Sequence, residues 1–572
     1  MTTARIASAF VASRAGNIAI IFALASLPLM AFVGAAIDYG LATRLQVKLQ
    51  SATDATALGL CQTPQTYTSV QLNTQANVVL PGYMGSGSTL TIDPLVITSN
   101  PRKITLNTHI NSITFFPAFT HVASPVVSAS SQCATPLPKT FEIALVLDNT
   151  GSMSASSGSQ SKLQAAQTAA SNFVDYVKGN SAFASNSRIS VVPFAAAVAV
   201  DPTASAKASW VDSDGLSAYH WSNIDKVSAS GASFKSRLDI FASLQKVYSG
   251  WGWAGCFEAP PYPQNVRDGA PSSGGTQSDW NSLYVPLFAP DEPGPGSTGA
   301  VCWNASGGTN CYNSSNISFN SYINDGDSSG SCSTSGSVTA VESQACKYKH
   351  PQGAQPTSSG GVGLPNGPNF QCVSKPLQRL TTDANALKLL ISSMTAAGST
   401  NIHEGLMWGW RTLSPISVFA DGAAYSATAT NKVIVLMTDG ANSWADNPYN
   451  NYNQTLYFSL GFLQNTSAAD PDPTPRLPAG YQSPQAIATS AQQRNALDQL
   501  TSEACTNAKA AGISIYTVGF SVASDPIDNQ GIQLLKNCAS SARQAFIAND
   551  SSGLITAFNQ IAASIGSLRI SK

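Results

Sequence analysis

The chain has 572 residues, a net charge of −1 and only 11% charged side chains, against about 25% in ordinary soluble proteins. That length exceeds one compact core and predicts two or three domains, while the near-zero charge gives no electrostatic case for nucleic acid. Ten cysteines without a C-x-x-C pair argue against a zinc ribbon and, in an oxidising compartment, read as disulfides.

Residues 18–37 (IAIIFALASLPLMAFVGAAI) carry no charge and are long enough to cross a bilayer as a helix. Arg5 and Arg14 precede them and Asp38 follows, so the positive-inside rule places residues 1–17 in the cytoplasm and the bulk outside. Pro28 predicts a kink in the span. A cleaved secretory signal is the alternative; the length of the run and the lack of a polar segment after it favour an anchor. Helical composition continues to Leu60, with Leu41, Leu45, Leu49 and Ala52 at helical spacing. Residues 62–135 alternate in β fashion and predict a small sheet. The unit 38–135 is thus a long helix leading to a sheet, a pilin-like plan. Cys61 and Cys133 flank it, either bonded or as free thiols.

Residues 136–139 (PLPK) read as a linker. Ile143 to Leu147 form an apolar run between Glu142 and Asp148, the pattern of a buried parallel strand. Asp148, Thr150 and Ser152 follow at alternate positions, where oxygen atoms can converge on a hard cation such as Mg²⁺. In open α/β sheets ligands bind at such strand ends. Residues 162–178 predict a helix with Leu163, Ala166, Ala170, Phe173 and Val177 on one face. Residues 189–194 predict a strand that Pro193 places at a turn or near an edge. These elements form the first part, 136–200, of an α/β domain.

Residues 201–376 hold six cysteines and much Gly, Ser, Asn and Pro, without sustained periodicity. They read as a long insertion packed on the α/β domain and stapled by disulfides. The acidic spots at Asp291-Glu292 and at Asp325 and Asp327 read as solvated loop, a second cation site being the alternative. Regular alternation returns over 377–572: helices at 384–394 and 402–413, a buried strand at 432–437, a helix at 490–510 and a strand at 513–520. A helix at 532–538, a strand at 544–547 and a helix at 553–565 complete it. Alternating strands and helices mean a doubly wound, mostly parallel sheet.

Two more loops of this second part offer oxygen ligands, Thr400 and Asp439. Singly, Asp439 is a turn former before Gly440 and Thr400 a helix cap. With Asp148, Thr150 and Ser152 they make a set of two carboxylates and three hydroxyls.

These residues resemble a von Willebrand factor A domain. DNTGSM matches that family's first metal motif, with Thr150 where Ser is commoner; GSTN carries Thr400 and TDG carries Asp439. The resemblance implies a metal-ion-dependent adhesion site. Asp148 and Asp439 would act partly through water, with Thr150, Ser152 and Thr400 supplying hydroxyls. The ion would be Mg²⁺, or else Mn²⁺ or Ca²⁺, with a position open for a carboxylate of a protein partner. The N-terminus, RAGNIAIIFALASLPLMAFVGAAIDYG followed by LQSATDATALGL, resembles the TadE/TadG-like region of tight-adherence (Flp) pilus assembly proteins. So do WGWAGCFEAPPYP, PLFAPDEPG, HEGLMWGWRTLSP, VIVLMTDGAN and the C-terminal tail. This implies a pilus assembly or adhesion factor with one pass through the bacterial inner membrane, its bulk periplasmic or extracellular. The alternative is a structural envelope anchor whose metal only stabilises the domain. Type IV-like pilins carry a Glu five residues after the cleavage-site Gly; counted from Gly16 that position is Ile21, which favours an uncleaved anchor.

An enzyme is not expected, nor a small-molecule substrate. His403-Glu404 begins a metalloprotease motif, but Met407 stands where its second histidine belongs. The G-x-S-x-G at 326–330 lacks the strand and helix of a nucleophile elbow. Cys505 and Cys538 flank the strand at 513–520 on neighbouring helices and predict a disulfide, with a pair of small core residues as the alternative. Pairing among the insertion cysteines stays open.

Overall fold

The computed structural model describes residues 14–567 apart from 64–66, 85–89, 99–101, 118–124, 135–139, 294–300, 306–307, 313–319, 328, 334–337, 358–363, 445–452, 454, 463–475 and 488. The start of the expected cytoplasmic segment, the linker at 136–139 and part of the G-x-S-x-G lie outside the described residues. The chain divides into two compact units, Met1–Leu137 and Pro138–Lys572.

In the first unit, helix α1 (Arg14–Cys61) runs 48 residues without a break and keeps Pro28 inside it. Phe22, Leu24, Leu27 and Phe32 are exposed along its first half. Among the described residues it is the one helix long and apolar enough to cross a membrane. Further on, Leu49, Ala52, Ala57 and Leu60 are buried. The expectation of a purely β segment after it needs correction, because Ser69–Met84 form helix α2. Leu72, Ala76, Leu80 and Met84 are its buried residues. That four-residue spacing is helical and outweighs Val78 and Val79, which face outward. Thr68 and Gln71 cap the start reciprocally.

The predicted small sheet follows as β1 (Leu90–Ile92), β2 (Val96–Thr98), β3 (Lys103–Asn111) and β4 (Val126–Ala134). Central β3 pairs antiparallel with β1 and β2 over its two ends and with β4 along its length. Ile104, Leu106, Thr108 and Ile110 are buried at alternate positions, as one covered face requires. Cys61 and Cys133 are bonded, with Cα atoms 6.2 Å apart.

The second unit is built on a six-stranded sheet: β5 (Thr140–Asp148), β6 (Arg188–Phe194), β7 (Gln378–Thr381), β8 (Thr430–Thr438), β9 (Ser514–Phe520) and β10 (Ala545–Ala548). The order is β7-β6-β5-β8-β9-β10, parallel except for β7 on β6. This is the doubly wound order, with its reversal between β5 and β8. Pro193 lies one strand from the edge; β7 pairs only as far as Val191, so no ladder bond is asked of Pro193 on that side. Side chains of β5 alternate between the two cores. Phe141, Ile143, Leu145 and Leu147 meet α3 (Lys162–Gly179), α4 (Ala384–Ser393) and α8 (Ser551–Ser567). Ala144 and Val146 meet α5 (Ile402–Leu413), α6 (Ser490–Ala510) and α7 (Asn529–Cys538). Cys505 and Cys538 bond α6 to α7.

The insertion is a packed body rather than a structureless loop. Val211, Phe257 and Tyr284 join the core beneath α5, and Phe257 stacks on Trp408 at 5.9 Å. Covered by the sheet on one side and the insertion on the other, all twelve residues of α5 are buried. Cys256–Cys372 and Cys332–Cys346 bonds staple the insertion. Of its acidic spots only Asp327 remains at the surface, bonded to Ser329 and Ser331. Asp291, Glu292 and Asp325 are buried, and Asp291 takes Lys347 Nζ at 3.0 Å plus the backbone N–H groups of Tyr322 and Ile323. Polar composition gave no hint of that burial, because the partner lysine lies far along the chain.

Close approach of α5 to the sheet depends on glycine. A Cβ on Gly409 would stand 2.4 Å from Val146 Cγ2. Overpacking a fitted core costs about 1–3 kcal/mol, and a branched side chain here sits at the upper end. Gly409→Val is expected to destabilise the chain by about 3 kcal/mol, read as a lower midpoint of denaturant unfolding than wild type.

Candidate functional site

Strands β5 and β8 end side by side, with Leu147 opposite Met437. Asp148 closes β5 and Asp439 follows β8, so the two carboxylates flank the point where strand order reverses and helices leave to opposite faces. Three loops converge there through backbone bonds. The Gly151 N–H donates to the Gly398 carbonyl at 3.0 Å, and the Ala397 N–H to the Asn149 carbonyl at 2.9 Å. Thr400 and Ser443 exchange backbone bonds in both directions. The Asn149 side chain adds a bond to the Thr395 carbonyl and accepts one from Ser374.

Within this frame the oxygens form a chain. Asp148 Oδ1 accepts from the Thr150 N–H at 2.8 Å and Oδ2 from the Thr438 hydroxyl at 2.6 Å. Ser152 Oγ donates to Asp439 Oδ1 at 2.8 Å. Its single proton being used there, it accepts from Thr150 Oγ1, 3.0 Å away. Asp439 Oδ2 accepts from Lys162 Nζ at 2.9 Å, and that ammonium reaches Asp525 Oδ2 at 2.7 Å.

Asp148, Thr150, Ser152 and Asp439 are therefore brought together. Thr400 lies on the adjoining loop, and among the described residues no hydrogen bond joins its hydroxyl to the others. Nor is Thr400 the helix cap: Asn401 fills that position, accepting from the Glu404 N–H. Asp439 does not act as a turn former, since its oxygens go to Ser152 and Lys162.

Sequence reasoning missed Lys162, Thr438 and Asp525. Lys162 carries a readable signal. It opens α3, where the helix dipole disfavours a cation, so a lysine there wants a carboxylate partner. Its side chain is fully buried.

Burial pushes the Asp148 carboxyl up to about 7; the Asp439 charge adds to this, and hydrogen bonds from Thr150 and Thr438 hold it back. Burial also raises Asp439, against the pull of Lys162 and Ser152. The Lys162 ammonium is shared by Asp439 and Asp525, while Asp148 has only neutral donors, the Thr150 N–H and the Thr438 hydroxyl; with all three carboxyls ionised the group would carry two negative charges in excess. Among the described residues no three His, Cys, Asp or Glu side chains group to hold a metal. A cation here would need hydroxyl and water oxygens beside the two carboxylates, a hard donor set suited to Mg²⁺.

The His403-Glu404 pair lies elsewhere. His403 Nε2 donates to the Asn265 carbonyl at 2.7 Å, and burial holds its ring down to about 4, so it is a neutral buried imidazole.

These charges have measurable effects on stability. A carboxyl raised in the fold binds its proton more tightly folded than unfolded, so the folded state loses stability as pH rises from about 4 to about 7. In chelator, the melting temperature of wild type should fall across that window more than that of Asp148→Asn. Removing the ammonium leaves Asp439 buried without its counter-charge, which costs about 3–5 kcal/mol. Lys162→Met should show that loss in denaturant unfolding, and adding Asp439→Asn should recover part of it.

Comparison with known proteins matches residues 16–59 to the Tad family, Flp pilus-assembly TadE/G-like. The comparison with curated proteins found no match. Among solved structures, the vWF domain of the type V pili tip protein Mfa5 from Porphyromonas gingivalis aligns at 11% identity and TM-score 0.31, over 76% of this chain and 97% of that one. The PilB minor pilin from Streptococcus sanguinis aligns at 12% and 0.31, over 84% and 78%. The pilus adhesin SpaC from Lactobacillus rhamnosus GG aligns at 12% and 0.30, over 84% of this chain and 34% of that one. The strand order itself carries the fold. The chain thus joins a segment similar to TadE/G-like pilus-assembly proteins to a doubly wound, mostly parallel α/β domain.

Proposed function

We propose that the chain is a membrane-anchored pilus assembly or adhesion factor whose A-type domain binds a protein partner. Asp148, Thr150, Ser152, Thr400 and Asp439 hold Mg²⁺ (Mn²⁺ or Ca²⁺ being the other candidates), and the bound ion offers an open position to a carboxylate of that partner. The observation that carries this is the cluster of two carboxylates and two hydroxyls at the sheet's switch point, a hard oxygen donor set that suits a divalent cation. Disulfides in both units support an oxidising compartment. With Arg5 and Arg14 ahead of the apolar helix, this favours a cytoplasmic N-terminus and one pass through the bacterial inner membrane. The TadE/G-like segment supports the pilus assignment.

A second reading has its own support. All four oxygens of Asp148 and Asp439 already accept hydrogen bonds inside the protein, which fits a metal that only stiffens the domain. Calorimetry on the full chain in detergent should show Mg²⁺ binding that Asp148→Ala weakens at least about tenfold, a loss of about 1.4 kcal/mol. Capture of pilus components should fall in the same variant and in chelator. Capture that survives both refutes the metal-bridged contact and leaves the stiffening role.

A further inference from the structure

The loop after β3 is built against the outer end of the apolar helix. Asp38, the first charge after that run, is buried. Its carboxylate accepts from the Phe115 N–H at 2.9 Å and the Phe116 N–H at 3.2 Å. Phe116 lies on Gly34, where a Cβ would stand 2.9 Å from the ring. The loop is therefore fixed in height to the last turn of the apolar run. What it presents outward is apolar: Ile113 is 73% and Phe115 67% exposed, and Tyr39 beside Asp38 is 76% exposed. The segment 112–126 (SITFFPAFTHVASPV) contains no Asp, Glu, Lys or Arg.

We propose that Ile113 and Phe115, with Tyr39, form a foot that seats the first unit in the interfacial layer of the bilayer. The inference rests on the reading of α1 as a membrane span. Apolar surface gains about 25 cal/mol per Å² on leaving water, and the aromatic belt of membrane proteins lies at this depth. Lipid is the occupant because the loop is tied through Asp38 and Gly34 to the outer end of the apolar run, where Phe32, Val33 and Ile37 are themselves exposed. Asp38 has a corresponding role, since it satisfies two loop amides at the membrane boundary, where unpaired N–H groups are costly.

The test uses the full chain in vesicles of phosphatidylcholine and phosphatidylglycerol. An environment-sensitive nitrobenzoxadiazole probe is placed on Phe115→Cys, with Ile113→Cys as a second reporter. Phe22→Cys reports the span. Leu58→Cys, at an exposed position about 30 Å beyond Asp38 along the helix at 1.5 Å per residue, reports solvent. The probes at 115 and 113 should be quenched by lipids with a shallow doxyl group and protected from aqueous iodide. Phe22 should respond to deep doxyl groups and Leu58 to iodide. Probes at 115 and 113 that behave like Leu58, while Phe22 is quenched, overturn the foot and spare the span. Protection from both quenchers means a protein covers the loop and also overturns it. Loss of lipid quenching at Phe22 as well overturns the span and the foot together.

Discussion

The reversal of strand order between β5 and β8 sets two carboxylates side by side at the mouth of a sheet, almost without water. Burying such charges is costly unless each is paired or hydrogen-bonded, and the nearby structure is arranged around that cost. A hydrogen bond to a charged group contributes about 1.5–3 kcal/mol, so the two that Asp148 receives are worth less than its desolvation, and its carboxyl is driven toward neutrality. Asp439 also has an ammonium in contact. This asymmetry gives one carboxyl that titrates near neutrality and one clamped by an internal cation.

How much of this is legible in the sequence depends on what kind of pattern each part leaves. Helices α5 and α6 span the expected 402–413 and 490–510 because each is a long regular stretch, although the cap of α5 is Asn401 and not Thr400. Strands β5 and β8 are readable because an unbroken apolar run of that length, ending in a polar turn, fits a buried strand and little else. Helix α2 is not: its valines suggest strands, and only the spacing of Leu72, Ala76, Leu80 and Met84 reveals the helix. Lys162 and Asp525 are invisible as a pair because folding, not sequence, brings them together. Of the candidate site, Asp148, Thr150, Ser152 and Asp439 lie together in one hydrogen-bonded chain, and only the first three are near one another in sequence. The hydroxyl of Thr400 is placed only by its loop.

The insertion shows why composition misleads. Its polar sequence hides a fully buried carboxylate, Glu258, paired with Arg237, with Tyr457 and with Arg476 at 2.6 Å. Tyr457 and Arg476 come from segments beyond the insertion, so the pairing fixes how the insertion lies on the α/β domain. Buried ion pairs of this kind add little net stability over an apolar core. The stability of the contact comes instead from the aromatic packing of Trp210, Phe257 and Tyr284 around Trp408.

The central pair β5 and β8 joins residues such as Asp148 and Thr438, 290 positions apart, with the whole insertion between them. Loop-closure entropy grows only slowly with length, so the pairing is not thermodynamically expensive, but long-range contacts are slow to find. On a growing chain β5 can pair with β6 early, yet its other edge stays open until residue 438 is available. An unpaired edge on an apolar strand is a template for pairing with another chain. The chain therefore spends its longest vulnerable interval with a strand prone to aggregation already made. Anything that delays the second part of the domain lengthens that interval.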